Sequence, residues 1–167
     1  MPDIANFDLN ISEPLRSAWT ARTQILLDSF ERAVGRQLIP RAGQALEDAR
    51  RLYSAPFAVL SHGTQSDPIL DYANRIALDL WQTTPEALIV MPSRLTAEPV
   101  LREARERLLK DVATCGFVSG YEGVRISATG RRFLIKNVTI WNLLDANGRP
   151  AGQAATFDSW HAMPSDT

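Results

Sequence analysis

The chain carries two histidines, His62 and His161, and one cysteine, Cys115. Nucleophilic, general-base or soft-metal chemistry near neutral pH would have to begin with these three residues. Two histidines and a lone thiol cannot supply a multi-cysteine zinc or iron–sulfur set, nor an internal disulfide. Ser61 and His62 are neighbours, but adjacent residues of a strand point to opposite faces, so they form no dyad. Cys115 precedes Gly116 at a helix end and lacks the cationic helix N-terminus that lowers a thiol pKa; it reads as a small buried apolar side chain. The carboxylates Asp71 and Asp79 are candidates for an internal position. Either one facing Tyr121 in one pocket would make the acid–base pair of a small α+β cone enzyme of the isomerase or hydratase kind.

The elements that must position these residues follow from periodicity and punctuation. Ser12 caps a helix with Pro14 in its first turn, and Leu15, Ala18, Trp19, Leu26, Phe30 and Ala33 draw an apolar stripe that Gly35 ends. A second helix after Pro40 presents Leu46, Ala49, Leu52 and Tyr53. Phe57–Ser61 reads as a buried strand, His62–Pro68 as a loop and Ile69–Tyr72 as a second strand. Asn74 caps a short helix carrying Ile76, Ala77, Leu80 and Trp81, and Thr83-Thr-Pro-Glu86 starts another. The clearest helix spans Glu98–Thr114, with Leu101, Ala104, Leu108 and Val112 on its buried side. Three extended runs close the chain, Phe117–Ile126, Arg131–Leu144 and Gln153–Trp160, separated by the turns Ser127–Gly130 and Asp145–Gly148, and they predict an antiparallel meander. Strands and helices segregated in this way imply an α+β layer architecture.

Composition bounds the partners. At about 150 residues per domain, 167 residues make one core with an appendage. Formal net charge is −1, and neither half of the chain is basic, which argues against a nucleic-acid partner. No run approaches the roughly 20 apolar residues of a membrane span, and Met1–Leu15 lacks the pattern of a secretion signal. A cytoplasmic location is the expectation.

The element order, two strands, helices, then three long strands, resembles a PAS domain. The stretch Asp71-Tyr-Ala-Asn-Arg-Ile-Ala-Leu-Asp-Leu-Trp81 followed by Thr84-Pro-Glu-Ala-Leu88 is similar to the PAS passage from second strand into first helices. More narrowly, the chain resembles the bacterial stand-alone form of the MEKHLA family of PAS-like domains. It does so through His62-Gly-Thr, Tyr72-Ala-Asn-Arg75, Met91-Pro-Ser-Arg-Leu-Thr-Ala-Glu98, Gly130-Arg-Arg-Phe133, Trp141-Asn-Leu-Leu144 and Gly152-Gln-Ala-Ala155. The resemblance implies an α+β fold: a five-stranded antiparallel sheet with helices on one face, its first strand beside the last. Residues 56–160 would form this domain, 1–55 an N-terminal helical extension and 161–167 a tail.

It also implies a sensory or interaction module that binds a small molecule or a protein partner and catalyses nothing. The cofactors of PAS subclasses can be checked by residue. Flavin adduct chemistry requires a cysteine where this chain reads Met91-Pro-Ser-Arg-Leu95, and the familiar haem sensors require a histidine on the long helix; neither is present, so the cofactor stays unassigned. His62 reads as a loop or hydrogen-bonding residue. Trp81, Arg94, Tyr121, Arg125 and Trp141, aromatics with polar anchors, are the expected ligand pocket. Arg94 lies in the segment that lines PAS cavities, and an arginine there could take a carboxylate bidentately. Along Phe133–Leu144 neither alternate set is cleanly polar, so both faces of that strand must be partly covered. The helix with Trp19 and Phe30 is the expected cover, either within the chain or as the contact of a homodimer. Two readings compete with the sensor: the cone enzyme, and an adaptor whose cavity is filled by its own side chains.

Overall fold

The computed structural model describes residues 11–97 and 99–164, and nothing is stated for side chains 99–102, 105 and 109. The chain begins with α1, Glu13–Val34, whose cap is the Ser12 hydroxyl accepting from the Leu15 N–H. Gly35 ends it at φ +87°, a left-handed conformation that glycine adopts without penalty. Then follow α2 (Ala45–Tyr53), β1 (Ala58–His62), β2 (Leu70–Ala73), α3 (Arg75–Trp81), α4 (Pro85–Leu88), a 3-10 turn (Ser93–Thr96), α5 (Pro99–Cys115), β3 (Phe117–Ile126), β4 (Arg132–Leu144), β5 (Pro150–Phe157) and β6 (Ser159–Ala162).

The sheet is antiparallel in the order β2-β1-β5-β4-β3, with β6 paired to β4. The first strand therefore lies beside the last long one, as expected. The final extended run differs from its expected bounds: it begins at Pro150, breaks at Asp158 and resumes as β6, which makes six strands and places residues 161 and 162 in the sheet.

Two irregularities lie across from one another in the β3–β4 pair. The register shifts between Val118 and Tyr121 and shifts back between Tyr121 and Gly123. Gly120 (φ +76°) is the extra residue on β3, and Asn137 (φ +53°) the extra residue on β4. Each is a bulge that reverses the alternation of side chains beyond it. On β4 the inner set is thus Phe133, Ile135, Val138 and Ile140, while Trp141 and Leu143 face outward. This reversal, together with cover on both sides, explains the mixed pattern of Phe133–Leu144.

The outer face is closed by α1. Trp19, Leu26, Leu27 and Phe30 are at most 1 % exposed, and Phe30 meets Trp141 edge to face with centroids 4.9 Å apart. The Trp141 indole N–H donates to the Leu26 carbonyl at 3.3 Å, and Ser29 bonds the backbone of Leu144. The apolar stripe of α1 is used within the chain, and its outward residues Ser17, Ala21, Asp28 and Glu31 are small or charged. Ala18, Leu46, Ala104 and Cys115, expected to be inside, are exposed instead. Leu101 lies outside the described side chains.

Candidate functional site

The inner face is covered less tightly, by α3 and the 3-10 turn. Asn74 fixes that cover to the sheet. Its side-chain oxygen accepts from the N–H groups of Val59 and Ala77, and its amide donates to the carbonyls of Leu52 and Phe57, so this fully buried side chain ties β1, the end of α2 and the start of α3. At the far end of α3, Gln82 adopts φ +54° and its oxygen accepts from Ser127 and Thr129 of the β3–β4 turn. The Ala128 N–H donates to the Trp81 carbonyl at 2.9 Å. Trp81 is thereby pressed onto the sheet, edge to face with Phe133 at 5.0 Å and Phe157 at 6.1 Å.

Between these layers lies a cavity of about 50 Å³. Its walls are mostly apolar, from Leu60, Leu70, Ile135, Val138, Ile140 and Phe157, and its polar side chains include His62, Thr96, Arg125 and Gln153, with Trp81 closing one side. Two groups in this lining are not balanced. Trp81 is 3 % exposed and its indole Nε1–H has no hydrogen-bond partner among the described residues. Leaving such a donor unmet costs about 1–3 kcal/mol. Arg125 is 6 % exposed; it donates to the Val124 carbonyl at 2.9 Å and to the Tyr121 hydroxyl at 3.3 Å, and stacks on that ring at 5.5 Å. Among the described residues no carboxylate stands within ion-pair distance of it. Gly123 makes room for the pair: a Cβ there would lie 2.6 Å from the Tyr121 hydroxyl and 3.0 Å from Arg125 Nη1.

Of the expected pocket residues, Trp81 and Arg125 line this cavity, and Tyr121 stands behind Arg125 rather than in the wall. Arg94 is elsewhere, 43 % exposed and bonded through Nε to Asp67 at 3.2 Å. Trp141 is on the other face, because the Asn137 bulge inverts its direction. The sequence pattern assigns His62 to the loop that follows the strand and does not single out Gln153 as a pocket residue. His62 ends β1, and its Nδ1–H donates to the Gly63 carbonyl at 2.9 Å, which makes Nε2 the acceptor of the neutral ring. The pairing His62↔Gln153 joins β1 to β5, and both residues also border an outer cleft of about 430 Å³.

The carboxylates do not meet Tyr121. Asp71 accepts from the Ser61 hydroxyl at 2.5 Å and pairs with Arg22 of α1 at 2.8 Å, on the outer face. Burial pushes the Asp71 carboxyl above its ordinary value despite Arg22 and Ser61, and burial lowers Arg22 despite Asp71. Asp79 is exposed beside Arg131 and Arg132. The internal pair that the cone-enzyme reading requires is therefore not assembled. Among the described residues no cluster of three His, Cys, Asp or Glu is placed to hold a metal ion.

The sequence profile of the MEKHLA domain matches residues 20–162. The chain belongs to the MEKHLA domain family. The match begins within α1, so most of that helix lies inside the matched region. No curated protein sequence matches this MEKHLA chain. Among solved structures it is similar to a PAS domain of a protein from Colwellia psychrerythraea, with a TM-score of 0.57 and 16 % identity over 69 % of this chain and 92 % of that one. It is also similar to an RNA-binding light-oxygen-voltage receptor, with a TM-score of 0.56 and 18 % identity over 72 % of this chain, which spans 33 % of the receptor. A PAS domain of a LuxR-family transcriptional regulator from Burkholderia thailandensis, in complex with ethanol, aligns with a TM-score of 0.50 and 15 % identity over 68 % and 94 % of the two chains. At these identities the likeness establishes the PAS fold of the MEKHLA domain.

Proposed function

We propose that this MEKHLA domain is a sensory module that takes a small molecule between the inner sheet face and α3, passes its occupancy to a protein partner, and catalyses nothing. The observation that supports this reading is the cavity itself, apolar in its walls yet containing a buried guanidinium and an unmatched indole N–H. The open volume of about 50 Å³ supports this reading over the adaptor, whose cavity would be filled by the protein's own side chains. The route outward is short. Arg22 of α1 donates to the carbonyls of His62 and Ala151, so the strands that wall the cavity touch α1 directly. A homodimer through α1, expected from the sequence, would use its outward side, since the stripe of Trp19 and Phe30 is occupied. The exposed thiol of Cys115 suits a reducing, cytoplasmic setting. No described helix is long and apolar enough to cross a membrane. Native mass spectrometry of the purified chain tests the reading: a bound small molecule or a dimer is expected, and apo monomer alone at micromolar concentration overturns both the tight-ligand and the dimer statements.

A further inference from the structure

We infer that the cavity selects a short-chain monocarboxylate of about acetate to propionate size, bound through Arg125 and the Trp81 indole N–H; the inference rests on the sensory reading above. The donors decide the chemistry. Arg125 offers five N–H groups, and among the described residues the bonds it makes are to the Val124 carbonyl and the Tyr121 hydroxyl. Trp81 adds one donor with no partner. Both line the same cavity, and Phe133, the cross-strand partner of Arg125, is the ring against which Trp81 packs. A donor pair carrying a net positive charge, with no carboxylate in reach among the described residues, calls for an anion. A buried guanidinium without a counter-charge is costly, and a charge-assisted hydrogen bond to a carboxylate offsets that cost.

The walls set the remainder. A single guanidinium balances one negative charge, so a dianion such as phosphate or a dicarboxylate would bury an uncompensated charge among Leu60, Ile135, Val138 and Ile140. Those side chains instead suit a short hydrocarbon tail. A water needs roughly 10–15 Å³ of such space, so a cavity of about 50 Å³ holds about three to five non-hydrogen atoms. Acetate and propionate fall within that size, and butyrate exceeds it. Longer acids would have to displace His62 or Gln153 toward the outer cleft.

The test uses the full chain, in thermal-shift and calorimetric titrations with sodium acetate, propionate, butyrate and octanoate against acetamide and propionamide, ionic strength matched with chloride. Acetate and propionate should raise the melting temperature at millimolar concentration, butyrate and octanoate should bind more weakly, and the amides should not bind. Arg125→Gln should weaken propionate about tenfold or more, the loss of a charge-assisted bond. Trp81→Phe keeps a ring but removes the N–H and should weaken it roughly fivefold. Arg125→Lys, which retains charge, should fall between wild type and Arg125→Gln and serves if the glutamine variant does not fold. Amides binding as well as acids, or Arg125→Gln and Arg125→Lys both binding as wild type, would overturn the carboxylate inference and leave the sensory reading standing. No binding of acid or amide, with no molecule retained in native mass spectrometry, overturns both.

Discussion

On the outer face of the sheet Arg22 commits its guanidinium to the Asp71 carboxylate at 2.8 Å and to the carbonyls of His62 and Ala151; on the inner face Arg125, more deeply buried than Asp71, meets a neighbour's carbonyl and a phenol. The tryptophans divide in the same way. Trp19 and Trp141 donate to the carbonyls of Asp71 and Leu26, whereas the Trp81 N–H has no partner. The outer layer pairs its guanidinium with a carboxylate and its indoles with carbonyls, although the Tyr72 hydroxyl beneath Trp19 has no hydrogen-bond partner among the described residues; the inner layer leaves an indole N–H unmatched and a guanidinium without a counter-charge beside a void. The difference teaches that a structural layer and a receptive layer of similar apolar content are told apart by whether the buried cation is balanced within the chain.

The largest effect tests the outer layer. Trp141→Ala should destabilise the fold by about 3–5 kcal/mol in urea denaturation, the usual range for losing a fully buried tryptophan. A loss below about 1 kcal/mol would contradict the packing of α1 on β4. Arg22→Met comes next, at roughly 2 kcal/mol: the value for a fully buried pair is discounted because the Asp71 carboxylate is partly exposed.

A pH effect belongs to Asp48, whose carboxylate accepts from Gln24 of the same helix. Burial opposes its ionisation, but the Ala42 N–H, Gln24 and Arg41 together outweigh burial and hold the carboxyl below the ordinary aspartate value. Its contribution is therefore complete above the ordinary value and is lost as pH falls through the lowered one, so Asp48→Asn should flatten the acid limb of the stability curve between them. Arg94→Ala, which breaks an exposed pair with Asp67, should cost less than about 1 kcal/mol and leave propionate binding unchanged. The smallest effect is the most diagnostic. Arg125→Met in ligand-free protein should be neutral or slightly stabilising, because it removes a buried charge that lacks a counter-charge. If it destabilised as Arg22→Met does, the contrast between the faces would be wrong.

Much of the fold was legible because short-range chemistry dictated it. Ser12 and Asn74 cap the helices they were expected to cap, the cap of α4 is Thr84, one residue beyond the Thr83 of the expected capping box, Gly35 ends α1, and the two turns separate the last long strands. The site was less legible, for reasons that can be named. Simple alternation puts Phe133 and Trp141 on one face of β4, and the Asn137 bulge puts them on opposite faces. Asparagine tolerates a left-handed backbone, but nothing nearby in the sequence marks residue 137 as the one that adopts it. Arg94 was misplaced because its partner Asp67 is far along the chain, in a loop whose path periodicity does not describe. His62 was assigned to that loop, yet the ladder to Gln153 continues through it.

The paired bulges have an evolutionary consequence. Deleting Gly120, or Asn137, would remove a residue that opposes nothing on the neighbouring strand, so the ladder would become regular there while every other side chain kept its partner and its face. An insertion or deletion at any paired position of β3 or β4 would instead slip one strand against the other and exchange core for solvent beyond it. Across lineages of this family the two bulges should therefore be gained or lost independently. Single-residue gaps in an alignment of β3 and β4 should accordingly fall at these two positions.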